Sequence, residues 1–386
     1  MKLFYFLKNL KKSFSKYKNS VTVYISKENI FHNFHTYQNN YKGVAIAPVL
    51  KSNAYGHGLV EVAKVLEKEN IPFFVVDSLY EASILKSHNI SKDILIIGFT
   101  PCENILNFNS SKFIFSIISL EELKNLSYVI KKPVRIHLKI DTGMYRQGVM
   151  IEDIDEAIKT IQGNNKIVFE GVFSHLGDAD NQDNFFTLSQ VEAWKKVVEK
   201  FKNNFSTIKH FHLSATPGLP FNEIGFGNVA RVGVGLFGFN TSGHTHLNLK
   251  PVLRVESLIS SIRKIKKGES VGYSRTFTFE NDSTLATVPI GYFEGVDRRL
   301  SNIGSFKIKD QFCNIRGMVS MNITSIDVGD IKNIKLEDKV IIISENRNDL
   351  NSVENFAGLA NTIPYDILVH INPSLKRKVI ESFDKI

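Results

Sequence analysis

Val49-Leu50-Lys51-Ser52-Asn53-Ala54-Tyr55-Gly56-His57-Gly58 closes an apolar run with a lysine and then turns sharply through two glycines. Residues 44–50 are apolar enough for a buried parallel strand, and residues 59–66 carry helical periodicity, so the local order is strand, lysine, loop, helix. A lysine in that position is ordinarily where a strand meets water. Its meaning depends on what the rest of the chain brings to the same rim.

Outward from this stretch, short apolar runs alternate with helix-like segments. Strands are expected at 44–50, 73–76, 94–97, 113–117, 134–140, 171–173, 211–213 and 231–235, with helices between them such as 78–87, 120–130, 151–161 and 187–201. Eight parallel strands, each followed by a helix, predict a (β/α)8 TIM-type barrel, whose active site occupies the C-terminal ends of the strands. After Asn240 the texture changes. Runs at 255–265, 283–290, 312–318, 323–328 and 339–343, broken by Gly, Asp and Asn, predict a C-terminal mostly β domain. The expected division is a basic extension over 1–20, a barrel over 21–245 and the β domain over 246–386.

Composition excludes some classes. The formal net charge is +9 over 386 residues. Six lysines without an acid fall in the first 20, and setting them aside leaves +3 for the body, so no nucleic-acid partner is expected. Lys8 interrupts the apolar start before a signal peptide could form, and no later segment approaches a membrane span. Cys102 and Cys313 have neither metal nor disulfide-framework spacing, which points to a reducing, cytoplasmic setting and no metal site.

On the barrel reading, strand ends deliver Lys51 and Tyr55, then Arg146, His175, Ser214 to Thr216, and Arg231 to Gly235. The last two strands of such barrels commonly build a phosphate site from hydroxyls and closely approaching glycine amides, a role that suits Thr216, Gly233 and the Val234 amide. A lysine beside a phosphate site, with no acidic metal cluster, suggests pyridoxal 5′-phosphate held on the lysine amine.

These residues carry a specific resemblance. Lys51 to Gly58 resembles the cofactor-lysine motif of the alanine racemase family. The likeness continues through His137 to Met144, Arg146, Ser174-His175, His212 to Thr216, Arg231-Val232-Gly233, Gly272-Tyr273, Pro289 to Tyr292, Ser320-Met321 and Ile363-Pro364-Tyr365, covering about residues 24 to 380. It implies a pyridoxal-phosphate enzyme that interconverts L- and D-alanine for peptidoglycan, as a homodimer with shared active sites. Lys51 would hold the cofactor and act as base on one face of the substrate. Tyr273 of the partner subunit would act on the other.

By the same resemblance Tyr55, Thr216, Gly233, Val234 and Tyr365 would hold the phosphate, and Arg231 would face the ring nitrogen. Arg146 would contact the phenolic oxygen, positioned by Lys139, which is often carbamylated in the family. His175 would sit beside Tyr273, and the Met321 amide would bind the substrate carboxylate. An ordinary ion-pair network of Lys139 and Arg146 with Asp141 is the alternative for those two. Asn322, where the family commonly has Asp, and Arg275, a cation following Tyr273, bear on strict alanine preference. A racemase of serine or another amino acid, or a barrel-type decarboxylase, is the alternative activity.

Overall fold

The computed structural model describes residues 17–222 and 226–385; most of the basic extension expected over 1–20 lies outside them. The chain begins with β1 (Thr22–Ser26) and the helix Lys27–Asn40, capped by the Ser26 hydroxyl, which accepts from Asn29 N. Eight parallel strands follow: β2 (Ala45–Pro48), β3 (Phe74–Val76), β4 (Ile94–Ile96), β5 (Phe113–Ile117), β6 (Val134–Lys139), β7 (Ile167–Phe173), β8 (His210–His212) and β9 (Val229–Val232).

β3 to β8 form one six-stranded sheet in sequence order, while β2 pairs with β9. Two single bridges close the ring. Val49 bridges Val75 with Leu50 N donating to Val75 O at 2.7 Å, and Ala215 bridges Arg231 with Arg231 N donating to Ser214 O at 3.0 Å. Both bridges lie at the C-terminal ends of the strands, so Lys51 and Arg231 sit at the closures of the barrel. The strands are buried on both faces, as helix-wrapped parallel strands must be.

The helices that cover them show the expected stripe. In Ile154–Gln162 the buried residues Ile154, Ala157, Ile158 and Ile161 fall three and four apart, and in the 20-residue Phe185–Asn204 the same spacing runs from Thr187 through Trp194 to Phe201. Ser78 and Glu81 form a capping box at the start of Leu79–Ser87.

The second unit is mostly β. A six-stranded sheet is ordered β16 (Gln311–Asn314), β15 (Ser305–Ile308), β18 (Lys339–Ile343), β10 (Leu253–Leu258), β1, β19 (Lys376–Ile380). Beside it stand a three-stranded sheet of β11 (Ser261–Ile265), β14 (Ser283–Val288) and β17 (Thr324–Asp327), and a small hairpin of β12 (Ser270–Val271) and β13 (Phe277–Thr278).

Several expectations change here. Thr22 pairs with Glu256 and Ile25 with Leu253, so β1 joins the β unit, and the chain divides at Val252/Leu253 instead of at 245/246. The residues from Val379 onward group with the barrel unit. The run 255–265 is two strands, because Ile259 N and Ser260 N bond to Asp338 O and Thr287 O and pass the chain from one sheet to the other. The expected strand 231–235 ends at Val232. Gly233 starts a 3-10 turn over Val234–Phe237 there.

Candidate active site

Lys51 leaves β2 three residues after Pro48, which pairs with Val232 of β9. The segment after it is unusual. Ser52, Asn53, Ala54 and Tyr55 have φ of 54°, 55°, 52° and 51°, a full left-handed turn of side-chain-bearing residues. Each such residue costs roughly 1–2 kcal/mol, so this backbone persists only because its surroundings over-determine it, as strained segments at functional sites commonly are.

The turn carries Tyr55 to β9. A Cβ added to Gly233 would lie 2.4 Å from the Tyr55 hydroxyl, so only glycine lets the phenol rest there. The Gly233 amide donates to Thr216 Oγ1 at 3.1 Å, which leaves the threonine's own proton available for a ligand oxygen. The Tyr55 and Thr216 hydroxyls, brought together by Gly233 with Val234 opening the next turn, thus form a cradle at the ends of β8 and β9.

Arg231 is the charged centre of the rim, only 4% exposed. Nη1 donates to His212 O at 2.7 Å and His212 Nδ1 at 2.8 Å; Nη2 donates to Ser174 O at 2.8 Å, Leu213 O at 3.1 Å and His175 Nδ1 at 3.2 Å. These partners are all neutral. Burial pushes the guanidinium down to about 9, and it remains cationic at neutral pH.

Because a guanidinium only donates, His175 Nδ1 must accept, and its proton sits on Nε2. Burial first, then the charges of Arg231, Arg146, Lys139 and Lys51, pushes the His175 imidazole down to about 3, so it is neutral. Lys139, on the last residue of β6, is buried and pushed down to about 8 by desolvation, Arg146, Arg231 and Lys51 against a weaker opposing pull from Asp141. The expected ion-pair alternative is not what forms. Asp141 spends its oxygens on the amides of Gly143, Tyr145 and Arg146 at 2.8, 3.1 and 3.1 Å, and among the described residues neither Lys139 nor Arg146 makes an ion pair. The carboxylate is taken up because the loop after β6 turns tightly around it. Arg146 itself is exposed.

The barrel unit therefore gathers Lys51, Tyr55, Lys139, Arg146, His175, Thr216, Arg231, Gly233 and Val234. Tyr273, Met321 and Tyr365 belong to the β unit. Tyr273 stands at the tip of the β12–β13 hairpin, 71% exposed, with Ser274 and Arg275 at φ of 57° and 49°. Arg275 reaches back to the Ser270 hydroxyl at 3.4 Å. Met321 is exposed, and Asn322 donates to Glu294 Oε1 at 2.6 Å, which anchors its side chain on a carboxylate. Tyr365 lies in the first turn of Pro364–Val369.

Two supporting residues escaped the sequence reading. His212 orients Arg231. Gln190, fully buried on Phe185–Asn204, accepts from Gly177 N at 2.8 Å and donates to His175 O at 3.3 Å and Thr142 Oγ1 at 3.4 Å, tying the loops after β6 and β7 together. The sequence reading gave His212 no role beyond its place in the resemblance, and nothing in the sequence marks Gln190.

A cluster of Lys51, Lys139, Arg146 and Arg231 around a neutral imidazole, beside a hydroxyl-and-glycine cradle, fits an anionic phosphate ester of an aromatic aldehyde. The fold and site define a barrel enzyme of the pyridoxal-phosphate class. Family models for the alanine racemase N-terminal domain and the alanine racemase C-terminal domain match residues 25–241 and 252–379. An alanine racemase of Fusobacterium nucleatum is 35% identical over 326 residues, 83% of this chain and 90% of the relative, and one of Borreliella burgdorferi is 31% identical over 370 residues, 93% and 97%. The structure of alanine racemase from Clostridium difficile 630 superposes with a TM-score of 0.88 at 28% identity, covering 95% of this chain and 97% of the other. The chain belongs to the alanine racemase family. It is a pyridoxal-phosphate-dependent amino-acid racemase with the expected (β/α)8 barrel and mostly β architecture.

Proposed function

We propose that the protein interconverts L- and D-alanine with two bases, Lys51 on one face of the substrate Cα and Tyr273 of the partner subunit on the other, and so supplies D-alanine for peptidoglycan. The observation that carries this reading is the display of Tyr273, held out into solvent on a hairpin tip of the β unit, while Lys51 is set in the barrel rim. A phenol so displayed suits a homodimer that completes its sites across the interface. When bound, the cofactor acidifies the Cα–H bond by drawing electron density from that carbon.

The chain's own residues then handle the protons. Lys51 Nζ takes the proton from one face as the Tyr273 hydroxyl delivers one to the other, and the reverse reaction exchanges the roles. His175, neutral with its proton on Nε2, donates toward the phenol oxygen and lowers its proton affinity. Arg231 would face the ring nitrogen as a donor that keeps its own proton, which would limit delocalisation and suppress side reactions. Tyr55, Thr216, Gly233, Val234 and Tyr365 would hold the phosphate; Arg146 would contact the phenolic oxygen; the Met321 amide would take the substrate carboxylate.

A carbamate on Lys139 would turn a repelled cation into an anion beside Arg146. The lowered proton affinity of Lys139 supports this, because only the neutral amine reacts with carbon dioxide. Two unpaired cysteines suit a cytoplasmic setting, and among the described residues no helix is long and apolar enough to cross a membrane.

Chiral product analysis with a panel of L-amino acids tests the reading. D-alanine should form from L-alanine faster than any other enantiomer from its partner. Faster turnover of serine would move the substrate, and carbon dioxide release would overturn the racemase chemistry for this chain.

A further inference from the structure

His57 is the one chemically versatile residue of the opening motif without a part in the chemistry above. It is fully buried, and its Nδ1 lies 3.0 Å from Ala54 O and 2.9 Å from Tyr55 O. Both partners are carbonyl oxygens, so Nδ1 carries the proton and donates a forked bond. The two carbonyls belong to the left-handed turn itself. The ring also stacks on Phe237, with centroids 4.0 Å apart and planes 21° from parallel, and Phe237 touches Tyr55 at 5.6 Å. Phe237 ends the turn that begins after Gly233. One imidazole therefore fastens the lysine turn and seats it against the glycine turn.

Asn53 holds the other side of the segment. Its Oδ1 accepts from Leu59 N at 2.9 Å, its carbonyl accepts from Gly58 N at 2.9 Å, and its amide donates to Glu81 Oε1 at 3.4 Å. These contacts close the loop toward the following helix. On the other side His57 links the two carbonyls to the wall at the end of β9, where Tyr55 itself also packs on Phe237.

We propose that His57 is a positioning residue for the cofactor: its Nδ1–H clasps the left-handed turn between Lys51 and Tyr55, and its ring fixes that turn on Phe237. The amine and the phenol hydroxyl then keep one spacing, matched to the two ends of a single ligand. This rests on Lys51 and Tyr55 as cofactor-binding residues. Borohydride reduction and peptide mapping test that premise separately, since a pyridoxyl label away from Lys51 would remove it without touching the role of His57 in the turn.

His57→Phe keeps the stack and removes the donor. The apo-protein should lose about tenfold in affinity for pyridoxal phosphate, the equivalent of one net hydrogen bond, read by absorbance titration. Amide exchange over residues 52–58 should quicken in the apo-protein, while exchange in the second unit stays unchanged. His57→Asn, which keeps an N–H near the same carbonyls, should recover part of the affinity. Affinity within twofold of the parent with unchanged exchange at 52–58 would overturn the proposal. If His57→Phe does not fold, nitrogen-15 spectra of the labelled parent decide instead: a proton on Nδ1 in both apo and loaded protein is required, and a proton on Nε2 alone refutes it.

Discussion

Arg231 Nη1 lies 2.8 Å from Nδ1 of His212, and that one contact sets a chain of proton positions. His212 Nδ1 must accept, so its Nε2 donates to His137 Nδ1 at 2.9 Å, and His137 carries its proton on Nε2. His137 and His212 stand on β6 and β8, alternate strands of one barrel layer. A Cβ at Gly171 would come within 2.7 Å of the His137 ring, and the β6–β7 register shifts at that point to make room.

The two histidines make stability fall in acid. Burial first, then Arg231, His137 and His210, holds His212 well below 6.5; burial, then His210, Arg135 and Arg231, does the same for His137. Both are neutral when folded and protonate when unfolded, so their contribution is present above 6.5 and is lost as pH falls below it. Each should remove about 1.4 kcal/mol per pH unit in that range. Urea unfolding from pH 7.5 to 5 should show the loss, with a shallower slope in His137→Phe.

Lys139 works in the alkaline range. Its folded value of about 8 against 10.5 unfolded means that the buried cation opposes folding below pH 8, and that the cost fades as pH rises to 10.5. In carbon-dioxide-free buffer at pH 7, Lys139→Met should stabilise the apo-protein by roughly 2–3 kcal/mol, with the gap closing above pH 10. Added bicarbonate should narrow that gap at pH 7 and raise the activity of the parent alone. Equilibrium unfolding and initial rates measure the two effects.

Gly233→Ala should separate folding from cofactor binding. The new methyl meets the Tyr55 hydroxyl, and moving a buried phenol costs about 1–3 kcal/mol of stability. The protein should still fold, while affinity for pyridoxal phosphate falls by more than about tenfold. Titration of the apo-protein beside a thermal melt checks both.

Shared sites predict complementation. Lys51→Ala and Tyr273→Phe chains, each inactive alone, should recover about one quarter of parental activity when mixed equally, since half the dimers are hybrids with one intact site in two. No recovery after confirmed subunit exchange would place both bases in one chain.

Legibility followed the range of the interactions. Each of the eight barrel strands overlaps an apolar run read from the sequence, because period and punctuation are local properties, but the bounds moved: β7 begins at Ile167 instead of 171, and β9 spans Val229–Val232 instead of 231–235. β1 and β19 were missed: each finds its partners across hundreds of residues, and a short strand on its own has no distinctive pattern. The 255–265 run was read as one strand since a change of sheets at Ile259 leaves no mark in hydrophobicity.

By itself the sequence determined the alternation that makes a barrel, the residue types gathered on its rim, and the likeness that names the family. Only the tertiary structure decided the geometry of the opening motif. Four left-handed residues after Lys51 are disfavoured by their own side chains and exist because His57, Asn53, Glu81 and Phe237 hold them. It likewise decided that Asp141 binds loop amides instead of Lys139, and that Arg231 rests on neutral partners, since those outcomes depend on which groups meet when distant strand ends close into a ring.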